Sequence, residues 1–284
     1  MIYGLGTALG WGLADFIAAI VSRRVGVVAA LLLAQFAGLI CLGIFFVVTH
    51  PSLEITAAQL ALLVANGLIA SVAYYSLYKG LELGPIALVS PIVSAYAAIT
   101  IVLAVVLLNE SIGGAVFVGM LVTFGGVALA STDLKALRRG GAMHGPGVRF
   151  GLVSMLAFGA STFLIARLAR DLGWWMPVTV SRLTTTTALL VGSMGLHREP
   201  SFAKVDARSL LECAVIGVAD VGGLILYARG SQLGMVSIVA AASAAYAVIP
   251  VIGGLLVFHE RPVLNQIIGI VVVFAGLLLL GLAS

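Results

Sequence analysis

Charge is what this sequence has least of. Of 284 residues, 15 are Lys or Arg and 11 are Asp or Glu, 9% of the chain against 62% hydrophobic. Soluble domains carry about 25% charged residues, and so few charges do not cover a folded chain of this length in water. Mean hydropathy is +1.20, which places the chain among polytopic membrane proteins. Cysteine is scarce too. Cys41 and Cys213 both lie in apolar runs, which excludes a disulfide framework and leaves them as small lipid- or core-facing residues. No G-x-x-x-x-G-K-[ST] loop is present, which argues against direct nucleotide hydrolysis. His50, His144, His197 and His259 fall in loops or at the ends of apolar runs without ligand spacing, so no metal site and no cofactor is expected. The net charge of +4 comes from basic residues scattered in short loops, not from a long basic arm. That pattern suits anionic lipid and membrane topology, not nucleic acid.

What is abundant is apolar sequence in runs long enough to cross a bilayer, about 20 residues each. Ten runs are expected to span: 3–21, 28–49, 58–78, 86–108, 112–131, 149–168, 175–196, 209–228, 235–257 and 263–282. The first has no basic segment before it, and Arg23-Arg24 follow it, so it reads as a span and not as a cleaved leader. The longest polar break, within 131–149, is rich in glycine and reads as a linker near the chain centre.

The halves on either side of that linker repeat each other. At a shift of 150, Lys79 falls on Arg229, Gly80 on Gly230, Leu83-Gly84 on Leu233-Gly234, Ala95-Tyr96-Ala97 on Ala245-Tyr246-Ala247, and Glu110 on Glu260. At a shift of 147, Gly4, Gly12, Phe16 and Gly26 fall on Gly151, Gly159, Phe163 and Gly173, and between these blocks Pro51-Ser52 meet Pro200-Ser201. The expected organisation is therefore a first five-helix repeat over 1–131, a linker over 132–148 and a second repeat over 149–284. Five is odd, so the second half is expected to run inverted to the first, the architecture of many secondary transporters. The fold class expected is all-α integral membrane, ten transmembrane helices in two inverted five-helix repeats. Eleven loop Lys and Arg residues follow spans 1, 3, 5, 7 and 9, against three on the other side, which favours both termini outside the cytoplasm.

The stretch GPIALVSPIVSAYAAITIVLAVVLLNES, its counterpart AAYAVIPVIGGLLVFHER and the acidic residue closing the fourth span of each half resemble EamA-type transporters of the drug/metabolite transporter superfamily. The resemblance covers nearly the whole chain. It implies a carrier of small metabolites or drugs, with termini usually in the cytoplasm, opposite to the charge count. The chain departs from relatives at Asn109 and His259, where glycine is common, and at Ala97 and Ala247, where many have proline.

Three ionisable residues lie deep within the expected spans: Asp15, Arg182 and Asp220. Such residues mark a pathway or a partner, because a charge in hydrocarbon is costly. Asp15 shares a helical stripe with Thr7, Trp11 and Ser22. A carboxylate beside an indole suits an organic cation, and it suits proton coupling, since a low dielectric favours the neutral form of a carboxyl group. The alternative makes Asp15 a structural partner of Arg182. Arg182, with Ser181 and the Thr run 184–187 around it, suits a substrate carboxylate, although the threonines also bond readily to their own helix. Tyr96 and Tyr246 are repeat-related cavity candidates, and Gln35 aligns with Arg182 under the shift of 147. Tyr74, Tyr75, Tyr78 and Tyr227 fit an interfacial aromatic belt, while Tyr74 and Tyr78 share a face that also suits a vestibule. The expected site is Asp15, Trp11, Gln35, Tyr78, Tyr96, Arg182, Asp220 and Tyr246. Lys79, Arg229, Glu110 and Glu260 read as interfacial and capping charges.

The expected function is secondary transport of a small polar organic molecule, cationic or zwitterionic, across a cell membrane by alternating access, coupled to protons or to exchange. Expected partners are that small molecule and the bilayer; ten spans suffice for a monomeric pathway. An intramembrane enzyme and a passive channel or scaffold are the alternatives.

Overall fold

The computed structural model describes residues 2–49, 55–109, 113–132, 134, 145–195, 202–234 and 236–283, and their regular structure is helical throughout. Glu110, Pro51-Ser52, Pro200-Ser201, three of the four histidines and the basic residues Lys135, Arg138, Arg139 and Arg198 lie outside the described residues. The first half forms α1 (Ile2–Val25), α2 (Val27–Thr49), α3 (Ala57–Leu83), α4 (Ile86–Ser94), α5 (Tyr96–Leu108) and α6 (Gly114–Ser131). The second forms α7 (Pro146–Leu172), α8 (Trp175–Gly195), α9 (Ala207–Leu233), α10 (Val236–Ser243), α11 (Val248–Leu256) and α12 (Leu264–Ala283). Among the described residues, nine stretches are long and apolar enough to cross a membrane, counting α4–α5 and α10–α11 as one each, and α8 supplies a tenth helix. In lipid the backbone must satisfy its own hydrogen bonds, which is why long apolar runs become helices here. Large apolar side chains such as Val47, Val106, Leu121 and Leu278 stay more than half exposed on the outer surface, as lipid contact allows.

Two expected spans are not single helices. The run 86–108 breaks at Ala95, between α4 and α5, and the run 235–257 breaks at a 3₁₀ turn, Ala244–Ala247, between α10 and α11. Pro91 lacks the N–H that would close its turn of α4, and four residues on the Ala95 N–H reaches back only three residues, to Ile92 O at 3.3 Å. Both breaks fall beside the repeat-related Tyr96 and Tyr246.

The sequence repeat is a repeat of contacts. α3 packs along α7, and α1 along α9; α2 packs on α9, and α3 on α8; α4 meets α11, and α5 meets α10. Each pair turns into the other when the halves are exchanged, while α6 packs on its own counterpart α12. Local chemistry follows. Thr56 caps α3 through Gln59, and Asp206, 150 residues on, caps α9 through Ser209. Thr7 Oγ1 donates to Gly223 O at 3.1 Å, and its counterpart Ser154 Oγ donates to Ala73 O at 3.0 Å. Arg23 donates to Leu81 O and Gly84 O, and Arg170 to Ser231 O and Gly234 O. Close helix approach is repeated too. A Cβ on Gly12 would lie 2.7 Å from Tyr246 O, and one on Gly159 would lie 3.2 Å from Tyr96 O.

The two ends of the bundle are each tied by cross-links. At one end Arg23 and Glu260 meet at 3.7 Å, Glu260 accepts from the Ile86 and Ala87 N–H groups at 2.8 Å, and Arg24 pairs with Glu212. Glu260 thus caps α4, a helix of the other half. At the opposite end, where α1 begins and α12 finishes, Trp174 and Trp175 pack against Phe45 and Phe46.

Candidate functional site

A small cavity of about 30 Å³ lies between the two halves, lined by Trp11, Asp15, Tyr74, Leu77, Tyr96, Phe158, Thr162, Asp220 and Tyr246. A second lobe of about 20 Å³ shares Trp11, Tyr74, Phe158 and Thr162 with it and reaches Ala70, Ser181, Arg182, Thr185 and Leu224. Room of this size holds only a few waters. The walls come in repeat pairs: Trp11 with Phe158, Asp15 with Thr162, Tyr96 with Tyr246, Tyr74 with Leu224, and Asp220 with Ala70. The cavity therefore sits where the two halves meet symmetrically, but its chemistry is one-sided.

The charge is arranged unequally. Arg182 Nη1 donates to Asp220 Oδ2 at 2.5 Å, and the Tyr74 hydroxyl donates to the same carboxylate, 3.0 Å from Oδ1 and 3.1 Å from Oδ2. Arg182 is 2% exposed and Asp220 8%. A buried pair of this kind holds together because either charge alone would be stranded in low dielectric. Arg182 Nε and Nη2 have no hydrogen-bond partner among the described residues, and Gly38 gives the guanidinium its space: a Cβ there would lie 2.5 Å from Nη2. Asp15 is 7% exposed and, among the described residues, neither pairs with a basic side chain nor accepts a hydrogen bond. With Asp220 neutralised by Arg182, Asp15 carries the uncompensated carboxyl group of the cavity.

Aromatic rings surround that carboxyl group. Trp11 stacks on Tyr227 at 5.6 Å and meets Tyr96 and Tyr246 edge-on at 6.0 and 6.3 Å. Trp11 Nε1 donates to the Asp220 backbone carbonyl at 3.3 Å, and the Tyr96 hydroxyl is 2.6 Å from Ser243 Oγ. The rings are thereby fixed, and their faces and edges bound the cavity.

The expected residues are distributed as follows. Asp15, Trp11, Tyr96, Asp220 and Tyr246 line the main cavity and Arg182 the second lobe. Gln35 is 1% exposed, one helical turn from Gly38, and is not on the cavity wall. Tyr78 is 4% exposed in an apolar cluster drawn from both halves and is not among the residues of the cavity wall. The pairing of Asp15 with Arg182 gives way to Asp220 with Arg182, because α8 and α9 present those two side chains to each other. Tyr74 and Tyr227 are not belt residues: Tyr74 is 9% exposed and bonded to Asp220, and Tyr227 is fully buried against Trp11. In the Thr run, Thr186 and Thr187 bond back to their own helix, while Thr185 donates to Gly67 O of α3. Phe158 and Thr162 escaped the reading of the sequence, although shifting Trp11 and Asp15 by 147 lands on them.

No curated protein matches this sequence. A solved structure titled "Crystal structure of protein" superposes with a TM-score of 0.68 over 99% of this chain and 96% of its own, at 17% identity, which speaks for the fold alone. The model of the EamA-like transporter family matches residues 1–132 and again 145–282, one match for each half of the bundle. A two-repeat helical membrane bundle whose repeats each fit that model belongs, as this chain does, to the EamA-like transporter family.

Proposed function

We propose that this protein is a secondary active transporter whose substrate is a small organic cation held at Asp15. The observation that carries the reading is the uncompensated, buried Asp15 in a cavity walled by Trp11, Tyr96 and Tyr246. A carboxylate and aromatic faces attract the same ligand, a compact cation, and ammonium recognition by aromatic walls is a recurring solution. Asp15 is also the group that a proton would occupy in the ligand's absence, so proton–cation exchange at one carboxyl group is the coupling proposed. Alternating access is supported by the exchange symmetry of the packing. α1 begins at the end opposite to its counterpart α7, as the cross-links of Arg23 and Arg170 at opposite ends require, so each half can adopt the other's conformation. The protein is proposed to work as a monomer in a cell membrane, the complete cavity being built within one chain.

A second reading is favoured by the unpartnered Nε and Nη2 of Arg182, which suit the carboxylate of a zwitterion spanning both lobes. Thermal stability of the purified protein, measured with tetramethylammonium, glycine betaine, free amino acids, polyamines and sugars, separates the two. A ligand at a hundredfold its Kd stabilises the native state by about 2.7 kcal/mol. The cation reading expects that shift with tetramethylammonium and its loss in Asp15→Asn. A shift with betaine alone, lost in Arg182→Gln, selects the zwitterion. Stabilisation by cations that survives intact in Asp15→Asn refutes the assignment of Asp15.

A further inference from the structure

A groove of about 220 Å³ opens on the membrane-facing flank between α2, α3 and α8, in the half of the bundle away from the termini. Val28 and Leu31 of α2, Ser71 and Tyr75 of α3, and Leu189 and Gly192 of α8 line it. Val72 on its wall is 49% exposed, and a Cβ on Gly192 would meet nothing within 4 Å. It is separate from the central cavity and spans the seam between the halves, since α8 belongs to the second half.

The repeat shows why the groove is empty. Under the shift of 147, Val27 and Val28 correspond to Trp174 and Trp175, and Phe45 and Phe46 to Gly192 and Ser193. At the opposite end of the bundle those four aromatic side chains pack together, Phe45 on Trp174 at 5.1 Å and Phe46 on Trp175 at 6.4 Å. One groove is thus filled by the protein's own rings, and its twin is left open by valine, glycine and serine. The difference is written into residue type. A largely apolar groove at bilayer depth is filled by what surrounds it, and there that is hydrocarbon. The groove lies toward the end of the bundle with more basic than acidic residues. Lys79, ion-paired with Glu82, stands one helical turn beyond Tyr75 on the same face of α3; that end also carries Arg149, Lys204 and Arg261, besides Arg23, which pairs with Glu260, and Arg24 and Arg208, which pair with Glu212.

We propose that this groove binds an acyl chain of an anionic phospholipid, with the headgroup at the Lys79 rim, as a wedge between the two halves. The site does not depend on the identity of the transported molecule. The test places the full-length protein in nanodiscs containing phosphatidylglycerol with a diazirine in its acyl chain, and maps adducts by peptide mass spectrometry after photolysis. Adducts concentrated in peptides holding Leu31, Tyr75 and Leu189–Gly192 are expected, falling at least fivefold in Val28→Trp and in Gly192→Phe/Ser193→Phe, which restore the aromatic filling of the twin. The same probe with a phosphatidylcholine head should label at least threefold less, and Lys79→Gln should erase that preference. Labelling spread evenly over the lipid-facing surface, for instance equally on Phe117 and Leu121 of α6, or unchanged in both filled variants, overturns the site. Equal labelling by the two lipids overturns the assignment of an anionic head.

Discussion

Gly12 and Gly159 make the same contact in the two halves, each pressing a helix of one half onto the broken helix of the other, and Gly67 and Gly217 do the same between α3, α9 and their partners α8 and α2. Asp15 and Thr162, or Arg182 and Gln35, also occupy equivalent places, yet only one member of each pair carries a charge. The scaffold positions obey the repeat because helix approach is a property of backbone and small side chains, which both halves need equally. At the cavity the aromatic walls obey the repeat too, as Tyr96 and Tyr246 show, and the charged positions escape it; on the proposed reading a single ligand needs only one free carboxyl group. Symmetry thus separates residues that hold the bundle from the charged residues proposed to do its work.

Substitutions that break this contrast should differ most at the charged pair. Asp220→Asn leaves Arg182 buried without a counter-charge and should cost about 3–5 kcal/mol in unfolding free energy, with most of the loss recovered in Asp220→Asn/Arg182→Leu. Gln35→Leu, at the place equivalent to Arg182, should be near neutral, since it removes a buried amide whose Oε1 has no partner. A large loss for Gln35→Leu would mean that the equivalent places bear equal load. At the scaffold the halves should behave alike: Gly12→Val and Gly159→Val should each cost about 1–3 kcal/mol by overpacking, and losses differing by more than that spread would deny the symmetry.

Smaller effects sharpen the comparison. Asn109 and His259, both at φ 53°, hold the left-handed conformation that ends α5 and follows α11. Glycine adopts that region without strain. Histidine bears a left-handed strain of roughly 1–2 kcal/mol while asparagine tolerates that region, so His259→Gly should raise the melting temperature and Asn109→Gly should raise it less. The caps differ in pH response. Ser209 donates from its backbone and hydroxyl to Asp206 and holds that carboxyl below its usual value. A carboxyl lowered in the folded state stabilises above its unfolded pKa and loses that contribution as pH falls through its folded pKa. The small loss in Asp206→Ala should therefore vanish in acid, whereas the loss in Thr56→Ala, about 1 kcal/mol, should not change with pH.

Much of this molecule was legible before any coordinates. Apolar run length announced the membrane class, and glycine, tyrosine and glutamate in register at two shifts announced the repeat. Asp15, Arg182 and Asp220 stood out because ionisable groups are costly in hydrocarbon. The roles of the tyrosines were not legible. Tyr74 and Tyr227 lie near the ends of hydropathy runs, where a belt residue and a tyrosine buried against a carboxylate or a ring look the same in one dimension. The helix breaks were partly legible: Pro91 and Pro250 mark hinge candidates in the two repeat-related spans, but apolar residues continue through Ala95 and the 244–247 turn, so the sequence does not place the break itself.

What the sequence by itself determined is periodic or additive: the number and length of apolar segments, their repetition, and which segments carry a charge. What only the tertiary structure decided is pairing. Three charges on three helices admit several ion pairs of equal sequence plausibility. The choice of Asp220 for Arg182, leaving Asp15 alone among aromatic rings, was made by the crossing of α8 with α9 and by the space that Gly38 leaves on α2. Electrostatic energy in low dielectric depends steeply on a few ångströms of separation, and those ångströms are set by helix packing across the seam between the halves.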